Sequence, residues 1–227
     1  MSKMKELKKI IVNKPLKLDC GETINNYPIA YETYGKLNEK KDNAILAFHA
    51  LTGDQFLTGI NPVTNKKGWW TYLIGPSKPI DTNKFFVICA NVIGGCMGSF
   101  GPSTVDEKSK KPLGTNFPVI TINDMVNAKY NLLDHFKIKK LFCVIGGSMG
   151  GMQVLQFVSN FPNAAKNAIP IACTANHSAQ NIAFNELARQ SIMADNNWDK
   201  GNYVNKEKSP DKGLSLIHIS EPTRRTD

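Results

Sequence analysis

Residues 146–151 read Gly-Gly-Ser-Met-Gly-Gly, and Gly146-Gly147-Ser148-Met149-Gly150 fits the pattern G-x-S-x-G. A serine so placed could form a covalent intermediate. Its hydroxyl is a weak nucleophile until a base takes the proton, and the tetrahedral intermediate needs donors for its oxyanion. The pentapeptide alone says little, because glycine-rich turns between strand and helix are common. Its neighbours say more. The apolar run Leu141 to Ile145 precedes it, and a helical pattern from Met149 to Asn160, ended by Phe161-Pro162, follows it. This is the strand–turn–helix order of a nucleophile elbow. Gly146 and Gly150 would let the strand and helix backbones approach closely. The helix N-terminus behind Ser148 would favour developing negative charge.

In an elbow, one oxyanion donor is the backbone N–H after the nucleophile, here Met149, and the second comes from a loop after an earlier strand. His49-Ala50-Leu51-Thr52-Gly53 follows the buried run Ala44 to His49, so the second donor is assigned to Leu51 N–H. The triad order in this architecture is Ser, then acid, then His. His49 and His135 precede Ser148, and His135 closes a helix, where it suits the helix dipole. His177 follows the next strand at once, too early for the last loop of a sheet. Asp195 sits at a helix end, and His218 lies in a terminal segment discussed below. By elimination, neither the acid nor the base of a triad is expected in this chain.

The elements that must position Ser148 alternate. A hairpin is expected over residues 16–34 with its turn at Asn25-Asn26. Buried strands are expected at 44–49, 85–92 and 141–145, and a fourth strand at 168–173. Helices are expected at 123–136, 149–160 and 178–194, the first with Met125, Ala128, Leu132, Leu133 and Phe136 on one face and a capping box at Thr121 and Asp124. Strands alternating with helices predict an α/β fold with a mostly parallel sheet and right-handed crossovers.

Composition narrows the class further. The chain has 227 residues, 41% hydrophobic and 21% charged, which excludes collagen, coiled coil and wholesale disorder. No run approaches the roughly 20 apolar residues of a membrane helix, and Ile10-Ile11-Val12 is too short for a signal peptide. The five cysteines form no C-x-x-C pair, so reduced thiols in a cytoplasmic protein are expected and a metal site is not. The net charge of +9 comes from scattered lysines, without the arginine forks and interleaved aromatics of a nucleic-acid site.

Several longer motifs carry a resemblance. His49-Ala50-Leu51-Thr52-Gly53-Asp54, Gly68-Trp69-Trp70, Ile74-Gly75-Pro76, Gly94-Gly95-Cys96, Phe117-Pro118-Val119-Ile120-Thr121 and Ile145 through Gln153 are together similar to the homoserine O-acetyltransferase family, as are Ile169-Pro170-Ile171-Ala172 and Phe184-Asn185-Glu186 with Arg189-Gln190. The resemblance runs from about residue 16 to 214. It implies an α/β-hydrolase fold with a helical lid, beginning near residue 176, and a homodimer at full length. It also implies acetyl-CoA as co-substrate, with no permanently bound cofactor, and acetyl transfer to L-homoserine through a Ser148 acyl-enzyme, a step of methionine synthesis. Ser148 would be the nucleophile, with Leu51 and Met149 forming the oxyanion hole. A succinyl donor, a serine acceptor or simple ester hydrolysis on the same fold are the alternatives. Phe100 departs from the pattern, since many members carry a small polar residue there.

The pattern breaks after Gly213-Leu214, where His218 stands in place of the family's substrate-binding arginine. The eleven residues Leu214 to Arg224 also match, residue for residue, the translation of a transposase-type sequencing adapter. The expectation is an incomplete α/β-hydrolase domain over residues 1–213 and a non-native tail over 214–227, so that the chain is C-terminally truncated and inactive by itself. A genuine surface strand, using Leu214, Leu216, Ile217 and Ile219, is the alternative for the tail.

Overall fold

The structure is a computed structural model; it describes residues 7–203 and 208–220. The chain divides into two compact units, residues 1–101 with 118–174, and residues 102–117 with 175–227.

The first unit is built on a six-stranded sheet of order β1-β4-β8-β5-β9-β10. Its strands are β1 (Lys9–Val12), β4 (Tyr27–Tyr34), β5 (Ala44–Phe48), β8 (Phe86–Ala90), β9 (Leu141–Gly147) and β10 (Ala165–Ile171). β8, β5, β9 and β10 are parallel neighbours, whereas β1 and β4 join antiparallel at one edge. β2 (Leu16–Lys17) pairs with β3 (Thr23–Ile24), and β6 (Ile74–Gly75) with β7 (Ile80–Asp81). The expected buried strands and parallel sheet are therefore present. The hairpin differs from expectation. Its pairing ends at Ile24, and Asn26, with φ 49°, leads into β4, which enters the main sheet between β1 and β8. The stretch Ile10-Ile11-Val12 lies in β1.

β5 and β8 are buried along their whole length because both faces of the sheet are covered. On one face Leu46, Phe48, Ile88 and Val144 pack with Val126, Leu132, Val154 and Phe157. Those last four come from helices α1 (Ile122–Phe136) and α2 (Met149–Asn160). On the other face Ile45, Ala47, Val87, Cys143 and Ile145 pack with Leu57, Ile74 and Ile80, flanked by Trp69 and Trp70. β10 lies at the open edge and is exposed from Lys166 to Ile171, with Ile169 46% and Ile171 39% accessible.

α1 starts where expected. The Thr121 side chain accepts from Asp124 N, and the Asp124 carboxylate accepts from Thr121 N at 2.9 Å. Asp124 is fully buried and also accepts from Asp19 N at 3.0 Å, tying the turn after β2 to the helix start. His135 stands in the last turn, within 3.4 Å of the Tyr31 hydroxyl.

The second unit holds α3 (Ala179–Met193), capped by Ser178, and α4 (Asp211–Ser220). α3 packs on α4, and the two backbones approach so closely at Gly213 that a Cβ there would lie 2.5 Å from Ile192 Cα. Asp195 accepts from Asn197 N and from Gly213 N, so the carboxylate set aside as a catalytic acid serves the chain reversal between these helices. α3 buries none of its residues, and Ile182, Phe184 and Leu187 are each more than half exposed. Residues 214–220, read alternatively as a strand or a tail, lie in α4, and 221–227 are outside the described residues.

The Asp124 carboxylate accepts from the Asp19 and Thr121 amides in a fully buried position. Asp124→Ala would orphan the Asp19 and Thr121 amides and is expected to cost about 2–4 kcal/mol, read as a fall in the urea midpoint with an unchanged slope.

Candidate active site

β9 delivers Ser148 and α2 carries the chain away, as the sequence required. Ser148 has φ 55° and ψ −124°, a conformation L-residues rarely adopt. Such strain costs about 1–3 kcal/mol and persists only where the surroundings enforce it. Here Ser148 N donates to Ile171 O at 3.0 Å, and Ser148 O accepts from Met152 N at 3.1 Å. The flanking glycines have a visible cause. A Cβ at Gly146 would lie 2.5 Å from Gly150 O and 2.9 Å from Phe48 O, and a Cβ at Gly150 would run into Phe48 O and approach His49 O at 3.1 Å. The start of α2 is thus pressed onto the end of β5. Ser148 is half-buried.

The loop after β5 leaves the same edge of the sheet, because β5 and β9 are hydrogen-bonded parallel neighbours with Phe48 opposite Gly146. Its conformation is held by His49, which is 1% exposed. Val92 N donates to His49 Nε2 at 3.0 Å, so Nε2 is the unprotonated nitrogen and Nδ1–H donates to Ala50 O at 2.8 Å. Gly53 N donates to the same oxygen at 3.0 Å. With the Ala50 carbonyl turned inward, the N–H of Leu51 on the same planar peptide points the opposite way. Burial, aided by the nearby Lys129 charge, holds the His49 imidazole down to about 3, so it stays neutral. His49 is therefore a clamp on the loop, a role that its early place in the chain does not reveal. Farther along, Asp54 accepts from Phe56 N and Asn61 Nδ2, and Trp69 Nε1 donates to Asp54 O at 2.9 Å. This explains why Gly68-Trp69-Trp70 accompanies the loop.

Beneath the elbow lies a group that the sequence reading missed. Lys129 of α1 is 1% exposed, and its Nζ donates to Gln153 Oε1 at 3.0 Å while standing 4.8 Å from the Phe48 ring centroid. Position 129 lies on the apolar face of α1, four residues from both Met125 and Leu133, so the signal in the sequence was a lysine inside an apolar stripe. Burial pushes its ammonium down from 10.5 to about 8.

The structure thus brings Ser148, Met149, Gly146, Gly150 and the Leu51 loop to one edge of the sheet. His135 ends α1 and engages Tyr31, away from the elbow in sequence and in bonding. His177 belongs to the second unit. Among the described residues, no three His, Cys, Asp or Glu side chains gather as a metal ion would require, and no helix is long and apolar enough to cross a membrane.

A parallel sheet whose central strand runs into a positive-φ serine at a helix start defines the nucleophile-elbow class of α/β proteins. The family model described as the alpha/beta hydrolase fold matches residues 43–226, and the chain belongs to that family. It is 71% identical over 214 residues to the homoserine O-acetyltransferase of Pelagibacter ubique, a match covering 94% of this chain and 58% of that protein. Of solved structures, it is similar to esterase E22, with 32% identity and a TM-score of 0.84 over 94% of this chain and 60% of the other. It is also similar to homoserine O-acetyltransferase from Bacillus anthracis, with 29% identity and a TM-score of 0.82 over the same shares. The expected fold and the resemblance are both borne out. The chain spans somewhat more than half the length of the relatives it matches.

Two outcomes follow from this geometry. Gly150→Ala must separate α2 from β5, since its Cβ meets backbone. It is expected to destabilise the first unit by about 2 kcal/mol or more, measured by urea unfolding. Lys129 makes stability depend on pH. Below about 8 its ammonium is charged whether the chain is folded or unfolded; between about 8 and 10.5 only the unfolded chain keeps the proton, so stability rises with pH across that window. Its full range is about 3 kcal/mol, and Lys129→Met is expected to abolish this rise when unfolding is followed at pH 7.5 and pH 10.

Proposed function

We propose that the complete protein is an acyltransferase that moves an acetyl group from acetyl-CoA to the hydroxyl of L-homoserine. The observation that carries this reading is the strained Ser148 at the head of α2, beside the His49-clamped loop, in a chain 71% identical to a homoserine O-acetyltransferase. Ser148 Oγ attacks the thioester carbonyl as a base takes its proton. The carbonyl electrons move onto oxygen, and Leu51 and Met149 N–H groups hold that oxyanion. The C–S bond then breaks, and coenzyme A leaves with the proton. In the second half the homoserine hydroxyl attacks the acyl-enzyme, O-acetylhomoserine departs, and Ser148 regains its proton. Gly146 and Gly150 act only through the shape of the turn.

The base is assigned to chain outside the described residues. His49 has both ring nitrogens engaged and stays neutral, and His135 engages Tyr31. On this reading the 227-residue chain alone turns over poorly, residues 214–227 are foreign to the domain, and the complete protein works in the cytoplasm as a homodimer in methionine synthesis, without a permanently bound cofactor. Esterase activity is the second reading, favoured by the similarity to esterase E22. Both rest on the same acyl-enzyme and differ in whether water or an alcohol resolves it.

The test compares homoserine, serine and water as acceptors, and acetyl-CoA and succinyl-CoA as donors, in the complete gene product. Homoserine with acetyl-CoA is expected to exceed every other pair by about tenfold or more, and Ser148→Ala is expected to lower kcat by about 10⁴-fold or more. Equal rates with all acceptors would overturn the transferase reading.

A further inference from the structure

We propose that Lys129 is a positioning residue of the oxyanion hole, acting through Gln153 on the backbone of both segments that supply its donors. The inference rests on the Ser148 elbow assigned above. Gln153 lies one turn into α2 and is fully buried. Its Oε1 accepts from Lys129 Nζ, which leaves Nε2 to face His49 O at 3.4 Å and Met149 O at 3.3 Å. His49 O opens the loop that carries Leu51, and Met149 is the residue whose own N–H is the other donor. One buried amide therefore bridges the two halves of the hole, and one ammonium fixes which way that amide faces. With Lys129 removed, Oε1 loses its charged partner and the amide is held by its two long N–H contacts, at 3.4 and 3.3 Å.

A buried ammonium is an expensive way to fill the space between α1 and Phe48, since an apolar side chain of the same volume would cost less. What it adds is charge. A charge-assisted bond to Oε1 polarises the amide and strengthens its N–H as a donor. The same charge discourages protonation of His49, whose free Nε2 lone pair holds Val92 N–H. The titratable groups facing Lys129 are His49 and Cys89 of β8. Burial pushes the Cys89 thiol up to about 12, so neither neighbour carries a charge that could neutralise the ammonium.

Two substitutions cut the bridge at different points. Lys129→Met removes the charge, and Gln153→Glu keeps a partner for Lys129 while deleting the donor to both carbonyls. In the complete gene product, the rate at which a fluorophosphonate labels Ser148 reads the hole without acyl donor or acceptor. Ser148 Oγ gives its proton to the base and bonds to phosphorus, the developing phosphoryl oxyanion occupies the hole, and fluoride leaves. Each single variant is expected to slow labelling, and to lower kcat, by about tenfold or more, with KM for the acceptor unchanged and no fall in Tm for Lys129→Met. The double variant is expected to be no slower than the slower single, because both cut one chain of contacts. Wild-type labelling in either single, or losses that multiply in the double, would overturn the inference. So would a wild-type Ser148 that resists the reagent. Wild-type protein that labels at Ser148 but transfers no acetyl group defeats only the proposed function, and the variant labelling rates still decide this one.

Discussion

The carbonyl oxygen of Phe48 fills the space where a side chain at position 150 would stand. That single approach sets the geometry of the site. It brings the first turn of α2 onto the end of β5, which leaves the strand-to-helix turn so tight that its central residue must take positive φ. Glycine would adopt that conformation freely, but it has no hydroxyl. The site instead keeps a serine there and meets the strain with the Ser148 N to Ile171 O bond and with glycines on both sides. The same approach places the loop after β5 beside the helix N-terminus, so the positions of Ser148, Met149 and the Leu51 loop are one fact of packing.

Polar groups are buried around this contact for related reasons. His49, Gln153 and Lys129 are each at most 1% exposed, and each is bonded to backbone or to another member of the set. Apolar residues could fill the volume, but they could not turn a peptide plane. The His49 tautomer is fixed by Val92 N–H and in turn fixes the Ala50 carbonyl. A loop stiffened in this way holds the Leu51 N–H in one direction, the preorganisation that the proposed oxyanion role of that group requires.

Much of this was legible in the sequence, and the limits have physical causes. The buried strands and the helices α1, α2 and α3 were readable because periodicity and caps reflect local sterics and hydrogen bonds; the Thr121–Asp124 box forms as its spacing requires. Ser148, Gly146 and Gly150 were readable because an elbow tolerates few residue types. β1 was not, since a four-residue edge strand with one buried side chain leaves almost no pattern. The turn at Asn25-Asn26 looked like a hairpin tip because asparagine marks positive φ in any turn, and here it marks the entry to β4. The burial of Lys129 was implied by its helical spacing from Met125 and Leu133, but a charged residue in an apolar stripe is intelligible only with its partners Gln153 and Phe48, 24 or more positions away, which spacing along one helix does not supply.

The elbow alone does not decide between transfer and hydrolysis. Esterase E22 and the Bacillus anthracis homoserine O-acetyltransferase are about equally similar to this chain, with TM-scores of 0.84 and 0.82. On the acyl-enzyme mechanism proposed above, both outcomes use one nucleophile and one pair of N–H donors, so residues 146–151 can serve either. They diverge only in whether water reaches the acyl-enzyme. In the described chain Ser148 is half-buried, while α3 and the outer strand β10 present apolar side chains to solvent. Water exclusion must therefore come from whatever covers the mouth of the turn, and not from the turn itself. On the mechanism proposed above, selectivity among acceptors is then set by a different part of the molecule from the turn that holds Ser148.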